Sequence, residues 1–130
     1  MAKDKFHSNK VRVADAGKKG RGVFARRALV PGEVIEMAPV IMLRSNESDT
    51  LLKTKLGSHA FDLGRGRVGV GLGYASLYNH DFKPNAEFEA TPDGVQIRAL
   101  RPIREGEEIS LDYGWSDTAF RRDGFDPRKK

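Results

Sequence analysis

Apolar positions from Val11 onward fall in short runs instead of a helical stripe. "VRV", "GVFA", "EVIEM", "PVIML", "AEFEA", "VQIRAL" and "EISLDY" are each a few residues long and rich in Val, Ile and Phe, the pattern of short β-strands. Proline and glycine punctuate them in "VPGE", "TPDG" and "REGE", where the chain must turn. "AEFEATPDGVQIRAL" predicts a hairpin around Pro92-Asp93-Gly94. Only Glu47 to Leu56 carries a helical pattern, and it is short. "PGEVIE" at 31–36 and "EGEEIS" at 105–110 echo each other; two similar turn-to-strand corners account for that. The expected architecture is mostly β, with a polar, frayed start over residues 1–10.

At 130 residues the chain is one domain, long enough to bury a core without staples. Lys and Arg number 23 against 18 Asp and Glu, a net charge of +5, which permits an acidic or nucleic-acid partner without demanding one. The absence of cysteine excludes thiolate zinc sites, disulfides and a Cys nucleophile. His7, His59 and His80 are too scattered for a local metal motif, so no metal is expected. "MAKDKFHSNK" lacks the apolar centre of a signal peptide, and no apolar run reaches membrane-spanning length. A soluble intracellular protein without a membrane partner is the expectation.

"GRGRVG", Gly64 to Gly69, fits G-x-G-x-x-G, and "GRGVFA", Gly20 to Ala25, fits its Ala variant. A dinucleotide site needs a helix starting at those glycines, and neither context supplies one. "GRGR" reads as a charged hairpin tip in preference to a phosphate contact. The alternating glycines of "VGVGLG" mean that something approaches the backbone closely; a ligand channel and a tight packing site would look alike.

In "LYNHDFKPNAEF", Leu77 to Phe88, Asn79 and His80 offer donors and acceptors to a flat heterocycle, Pro84 rigidifies the exit and Asn85 caps the turn. Alone, the pair reads as a polar turn with a satisfied histidine in preference to a ligand site. "GEEISLDYGW" ends a strand in Asp112-Tyr113-Gly114-Trp115, where the tyrosine hydroxyl can enter a cleft or simply be hydrogen-bonded at a rim. In "KKGRGVFA", two glycines flank Arg21 and let backbone groups approach a small ligand.

These pieces occur in one order: G-x-G-V-F-A, then N-H-x-x-x-P-N, then G-E-E-x-x-x-x-Y-G. From about Val11 to Trp115 the chain resembles the SET-domain protein lysine methyltransferases in their compact stand-alone form. The resemblance implies a β-clip of small curved sheets over 11–115, with a pseudoknot in which the C-terminal segment threads beneath a loop. S-adenosylmethionine would bind on one face, and a target lysine would enter from the other through a narrow channel. Gly20, Arg21 and Gly22 match the cofactor loop, Asn79 and His80 the pair holding the adenine end, and Tyr113 the catalytic tyrosine. Tyr74 and Trp115 become candidate channel or cofactor-facing aromatics. His59 stands where many members carry a channel tyrosine, Ser76 near a frequent arginine, and Leu111 two residues before Tyr113, where ring size and a hydroxyl often limit methylation. With no zinc segment, residues 116–130 would close the channel without metal.

The resemblance implies a protein substrate such as a histone or another basic protein, di- or trimethyllysine products, and no required nucleic acid. Glu87, Glu89, Asp112 and Asp117 could form the acidic patch for a basic tail. A homodimer could complete the substrate groove. Two rivals are a catalytically silent β-clip that binds a peptide or small ligand and a basic nucleic-acid-binding β domain. Scattered basic residues without a stacking face argue against the second.

Overall fold

Strands carry most of the chain in the computed structural model, which describes residues 6, 8–92 and 94–114. They are β1 (Val11–Asp15), β2 (Arg21–Ala25), β3 (Val34–Met42), β4 (Ala60–Asp62), β5 (Val68–Gly71), β6 (Asn79–His80), β7 (Ala86–Thr91), β8 (Gly94–Ala99) and β9 (Glu108–Leu111). One sheet has 4 strands in the order β1-β2-β9-β6, and the other has 5 in the order β4-β5-β3-β8-β7. Between them lies a core that includes Val23, Ile35, Phe61, Tyr78, Ile97, Ile109 and Tyr113. Trp115, Asp117 and the segment 116–130 lie outside the described residues, as does Asp93. Ser8 and Lys10, in the stretch expected to be frayed, bond to the carbonyls of Ile35 and Val34 at 2.7 and 2.6 Å. No described helix is long and apolar enough to cross a membrane.

"EVIEM" and "PVIML", read as separate runs, form the single strand β3. Its register runs with β8 as far as Pro39 opposite Gly94, then with β5 from Val40 opposite Gly71. A proline has no N–H to donate, and Pro39 sits where the strand changes partners, so the ladder tolerates it. The β7–β8 hairpin closes at Thr91 opposite Gly94, where the Thr91 hydroxyl accepts the Gly94 N–H at 3.0 Å. The helical pattern divides: α1 covers Ser45–Leu51, and a separate 3-10 helix covers Lys55–His59. Thr54 caps the break by donating its hydroxyl to the Leu51 carbonyl at 2.7 Å. Gly57 lies so close to the Leu52 backbone that a Cβ would approach it to 2.8 Å.

The echoing corners are equivalent in detail. Gly32 and Gly106 take φ of 82° and 83°, a region open to glycine. Glu33 accepts the Val30 N–H at 3.1 Å, and Glu107 accepts that of Arg104 at 3.0 Å. An antiparallel bridge from Leu29 to Ile103 joins the corners. Burial raises the Glu33 pKa, but the Val30 N–H with Lys10 and Arg27 outweighs it and leaves it lowered. For Glu107 the Arg104 N–H leads, with Asn85 and Arg101 adding to it against burial. A lowered folded-state pKa adds stability that is present above the ordinary value of 4.5 and lost as pH falls through the folded value. Glu33→Gln should therefore reduce stability at neutral pH and make its loss in acid shallower. Urea melts across that range check this, and an acid slope identical to the parent's would refute it.

The knot comes from β9. It lies antiparallel to β2 through Val23 opposite Ile109 and parallel to β6 through Asn79 opposite Ser110. Past β9 the chain runs between β6 and β4: Leu111 O accepts the Asp81 N–H at 2.9 Å, and Tyr113 O accepts that of Asp62 at 3.0 Å. Asn85 ties the crossing, accepting the Ser110 N–H at 2.9 Å and donating to Glu108 O at 2.8 Å. The glycines of "VGVGLG" serve packing: Gly69 faces the Val40 and Leu63 side chains, and Gly71 faces Ala75 and Phe61.

Candidate active site

The turn before β2 is tight because Gly20 takes φ of 83° and donates its N–H to Gly17 O at 3.0 Å. Residues 17–21 wall a cavity of about 440 Å3, closed on its other side by Lys55 and His59. Lys18, Lys19, Arg21 and Lys55 make this cavity cationic. Lys19 also meets Glu108 Oε1 at 2.6 Å.

Gly22 has a different task. A Cβ there would stand 2.5 Å from Glu108 Oε2 and 2.9 Å from Asn79 Nδ2. The close approach that Gly22 permits is thus to side chains of the protein itself. Asn79, 1% exposed, donates its Nδ2 to Glu108 Oε2 at 2.6 Å and to Arg21 O at 3.2 Å. A carboxylate and a carbonyl only accept, so both partners fix which way the amide points. Oδ1 is left buried, accepting no hydrogen bond from the described residues.

His80 follows on β6 and is 7% exposed. Its Nδ1 accepts the Tyr113 N–H at 3.4 Å, which puts the proton of the neutral ring on Nε2. Its ring meets Phe82 edge-on at 4.4 Å and stacks at 6.3 Å from Tyr113.

Tyr113 is 1% exposed. Its ring lies 4.6 Å from Phe61, itself edge-on to Phe88 at 4.8 Å. Its hydroxyl is 2.6 Å from Tyr78 O and 3.0 Å from Ala75 O, two acceptors for a single proton. Burial, and then the charge of Glu36, push the phenol pKa far above its ordinary value.

The remaining candidates spread around this centre. Tyr74 is partly buried against the core, and its N–H donates to Glu36 Oε2 at 2.8 Å. His59, expected in the substrate channel, lines the cationic cavity beneath the Gly20–Arg21 loop. Its Nδ1 donates to Ser76 O at 2.7 Å. Leu111 is fully buried in the core cluster that holds Tyr113. Direct contacts therefore join Arg21, Gly22 and Asn79 on one side and His80 and Tyr113 on the other, with Tyr78 linking the two groups.

A family model described as the SET domain matches residues 20–114. The chain belongs to the SET-domain family. A histone-lysine N-methyltransferase of Schizosaccharomyces pombe, H3 lysine-37 specific, is 31% identical over 105 residues, covering 78% of this chain and 71% of that protein. A Suv4-20 histone-lysine N-methyltransferase of Caenorhabditis briggsae is 31% identical over 103 residues, 75% of this chain but 31% of the relative. The SET9 enzyme of Phaeosphaeria nodorum is 34% identical over 96 residues, 14% of its own length. This SET domain thus spans most of the fission-yeast relative and a minor part of the other two. Among solved structures, that of a candidate histone methyltransferase from Plasmodium falciparum superposes with a TM-score of 0.68 at 28% identity, over 86% of this chain and 99% of that one.

Sequence reasoning passed over three residues of this SET domain. Glu108 was seen only as part of a turn motif, although it sets the Asn79 amide. Tyr78 was seen only as a neighbour of the Asn-His pair, although its carbonyl holds the Tyr113 hydroxyl. Glu36, on β3, is buried at 4% exposure and bonds Tyr78.

Proposed function

We propose that the protein transfers methyl groups from S-adenosylmethionine to a lysine side chain of a histone or another basic protein, to the di- and trimethyl level. Protein-lysine methylation itself follows from the SET-family match and the histone-lysine methyltransferase relatives. The cofactor, the product level and the substrate class are the proposal. The observation that carries it is the knot: it sets the Tyr113 hydroxyl 2.6 Å from the carbonyl of Tyr78, the residue preceding Asn79-His80.

The residues present fit the cofactor. Asn79 Oδ1, expected at the adenine end, is a buried acceptor with no described donor and suits the ammonium of the methionine group instead. The cationic cavity beside Arg21 suits a carboxylate, and His80 with Phe82 offers an aromatic edge for adenine. Bound there, S-adenosylmethionine supplies a methyl group on a sulfonium, open to in-line displacement by an amine.

The amine must arrive neutral, although free lysine has a pKa of about 10.4. Passage into an apolar channel favours the neutral form, and its proton leaves to water. Tyr113 is not the base, since its phenol is held protonated by burial and Glu36. Its hydroxyl oxygen positions the amine, and the carbonyls of Ala75 and Tyr78 hold that hydroxyl while offering weak C–H···O contacts to a methyl group. Alignment of this kind is worth roughly 7–11 kcal/mol.

Calorimetry with S-adenosylmethionine, then radiolabel transfer onto histone and cell-extract panels, tests the reading. Binding without transfer to any lysine would favour the silent β-clip. Mass spectrometry of the product should show di- and trimethyllysine, because Leu111 is buried and apolar and has no hydroxyl to anchor a water beside the amine. A halt at monomethyl with excess cofactor would overturn that. The parent chain is the proper test, since Leu111→Tyr would overpack a fully buried position.

A further inference from the structure

Glu36 is a buried carboxylate that the proposed reaction does not use. It is 4% exposed, and its two oxygens accept from the turn that follows β5. Oε2 takes the Tyr74 N–H at 2.8 Å, and Oε1 takes the Tyr78 hydroxyl at 2.8 Å. The turn closes tightly around it: Gly73 takes φ of 63°, and a Cβ there would stand 2.6 Å from Glu36 Oε2. Both carbonyls that meet the Tyr113 hydroxyl, Ala75 O and Tyr78 O, belong to this turn. Glu36 therefore grips both ends of the segment from Tyr74 to Tyr78, and that segment holds the hydroxyl.

A carboxylate in this position has a cost. Burial raises its pKa, and the Tyr74 and Tyr78 bonds offset only part of the rise. A raised carboxylate pKa lowers folded-state stability at pH values above the ordinary one. What the carboxylate supplies in return is two acceptors, one for each end of the turn, which an amide of the same shape does not have.

We infer that Glu36 is a positioning residue for methyl transfer: by pinning Tyr74 N and the Tyr78 hydroxyl it fixes the turn whose carbonyls aim the Tyr113 hydroxyl at the amine. This rests on the reading of Tyr113 given above. Glu36 touches neither the amine nor the cofactor site; it acts through Tyr78. The Tyr78 hydroxyl is the second half of the device, because removing it leaves the anion with a single donor from the turn.

The test uses Glu36→Gln, Tyr78→Phe and their double variant in the full chain. In Glu36→Gln the amide oxygen still accepts the Tyr74 N–H, but the Tyr78 proton loses its acceptor. Single-turnover transfer should fall on the order of tenfold or more in each variant, as a small misplacement of reacting groups allows. S-adenosylmethionine affinity should stay within about twofold, and the double variant should lose little more than either single one, since the two side chains act as a unit. Without any ligand, hydrogen exchange should quicken at the amides of Tyr74, Ala75 and Leu77 and stay unchanged in β1 and β2. The melting temperature of Glu36→Gln should fall modestly, because the buried Tyr78 hydroxyl loses its acceptor, so transfer is measured well below it. Transfer near the parent rate in both single variants overturns the inference and leaves the methyltransferase reading intact. Transfer that returns to the parent rate when the assay is cooled further below the melting temperature of the variants also overturns it, since Glu36 would then be ordinary core support. A parent chain that methylates no lysine overturns the reading itself.

Discussion

Tyr113→Phe should reduce methyl transfer on the order of 10²-fold while leaving S-adenosylmethionine affinity within about twofold of the parent. The substitution removes one oxygen and keeps the ring against Phe61, 4.6 Å away, and stacked near His80. It also removes the donor to Tyr78 O and Ala75 O. Leaving a buried acceptor unmet costs about 1–3 kcal/mol, so assays belong well below the melting temperature of the variant. Because the phenol pKa is raised far above its ordinary value by burial and Glu36, Tyr113 does not titrate in the working range. Activity should therefore rise toward alkaline pH with the same shape in parent and variant, following the substrate amine. Single-turnover transfer with calorimetry on the same samples decides it. A variant near the parent rate would make Tyr113 a channel wall, and a profile that changes shape would make its hydroxyl a titrating group.

The strands were legible because β-branched and aromatic residues in short runs leave few alternatives, and the β7–β8 hairpin followed from "TPDG". The knot was legible only through resemblance. It joins Asn85 to Ser110 and Glu108, and contacts between distant segments leave no periodic trace in a sequence. The runs "EVIEM" and "PVIML" form one strand because β3 changes partners at Pro39, where a missing N–H is tolerated. Glu36 was invisible for a sharper reason. Strict alternation puts residues 35 and 36 on opposite faces, but the register of β3 on β8 shifts between Val34 and Glu36. That bulge turns both Ile35 and Glu36 inward. At Gly22 the sequence reading placed a small ligand, whereas the atoms that approach it are those of Asn79 and Glu108; a glycine shows that something comes close, not what.

Asn79 is where cofactor site and fold meet, and its substitutions should separate the two. Asn79→Ala removes the buried Oδ1 and should weaken S-adenosylmethionine binding at least about tenfold, the equivalent of about 1.4 kcal/mol. Such a change does not leave the fold untouched, because Nδ2 ties β2 to β9 through Arg21 O and Glu108. Loss of that buried donor should cost about 1–3 kcal/mol of stability. Asn79→Asp should be worse: it keeps an oxygen where Oδ1 stands but replaces the donor with a second one, 2.6 Å from Glu108 Oε2 in the present geometry. Two carboxylates at that distance repel, and Gly22 leaves them no room to part, since even a Cβ there would crowd both side chains. Adding Glu108→Gln to Asn79→Asp supplies an amide donor from the other side and restores a donor–acceptor pair with its direction reversed. The double variant should regain much of the melting temperature lost by Asn79→Asp, and it should regain cofactor affinity because the carboxyl, no longer repelled by Glu108, again holds its other oxygen toward the site. Thermal melts and calorimetry on the four proteins check both halves. Stability restored without affinity would mean that Asn79 Oδ1 does not meet the cofactor. Neither restored would mean that Glu108 does not set the orientation of the amide.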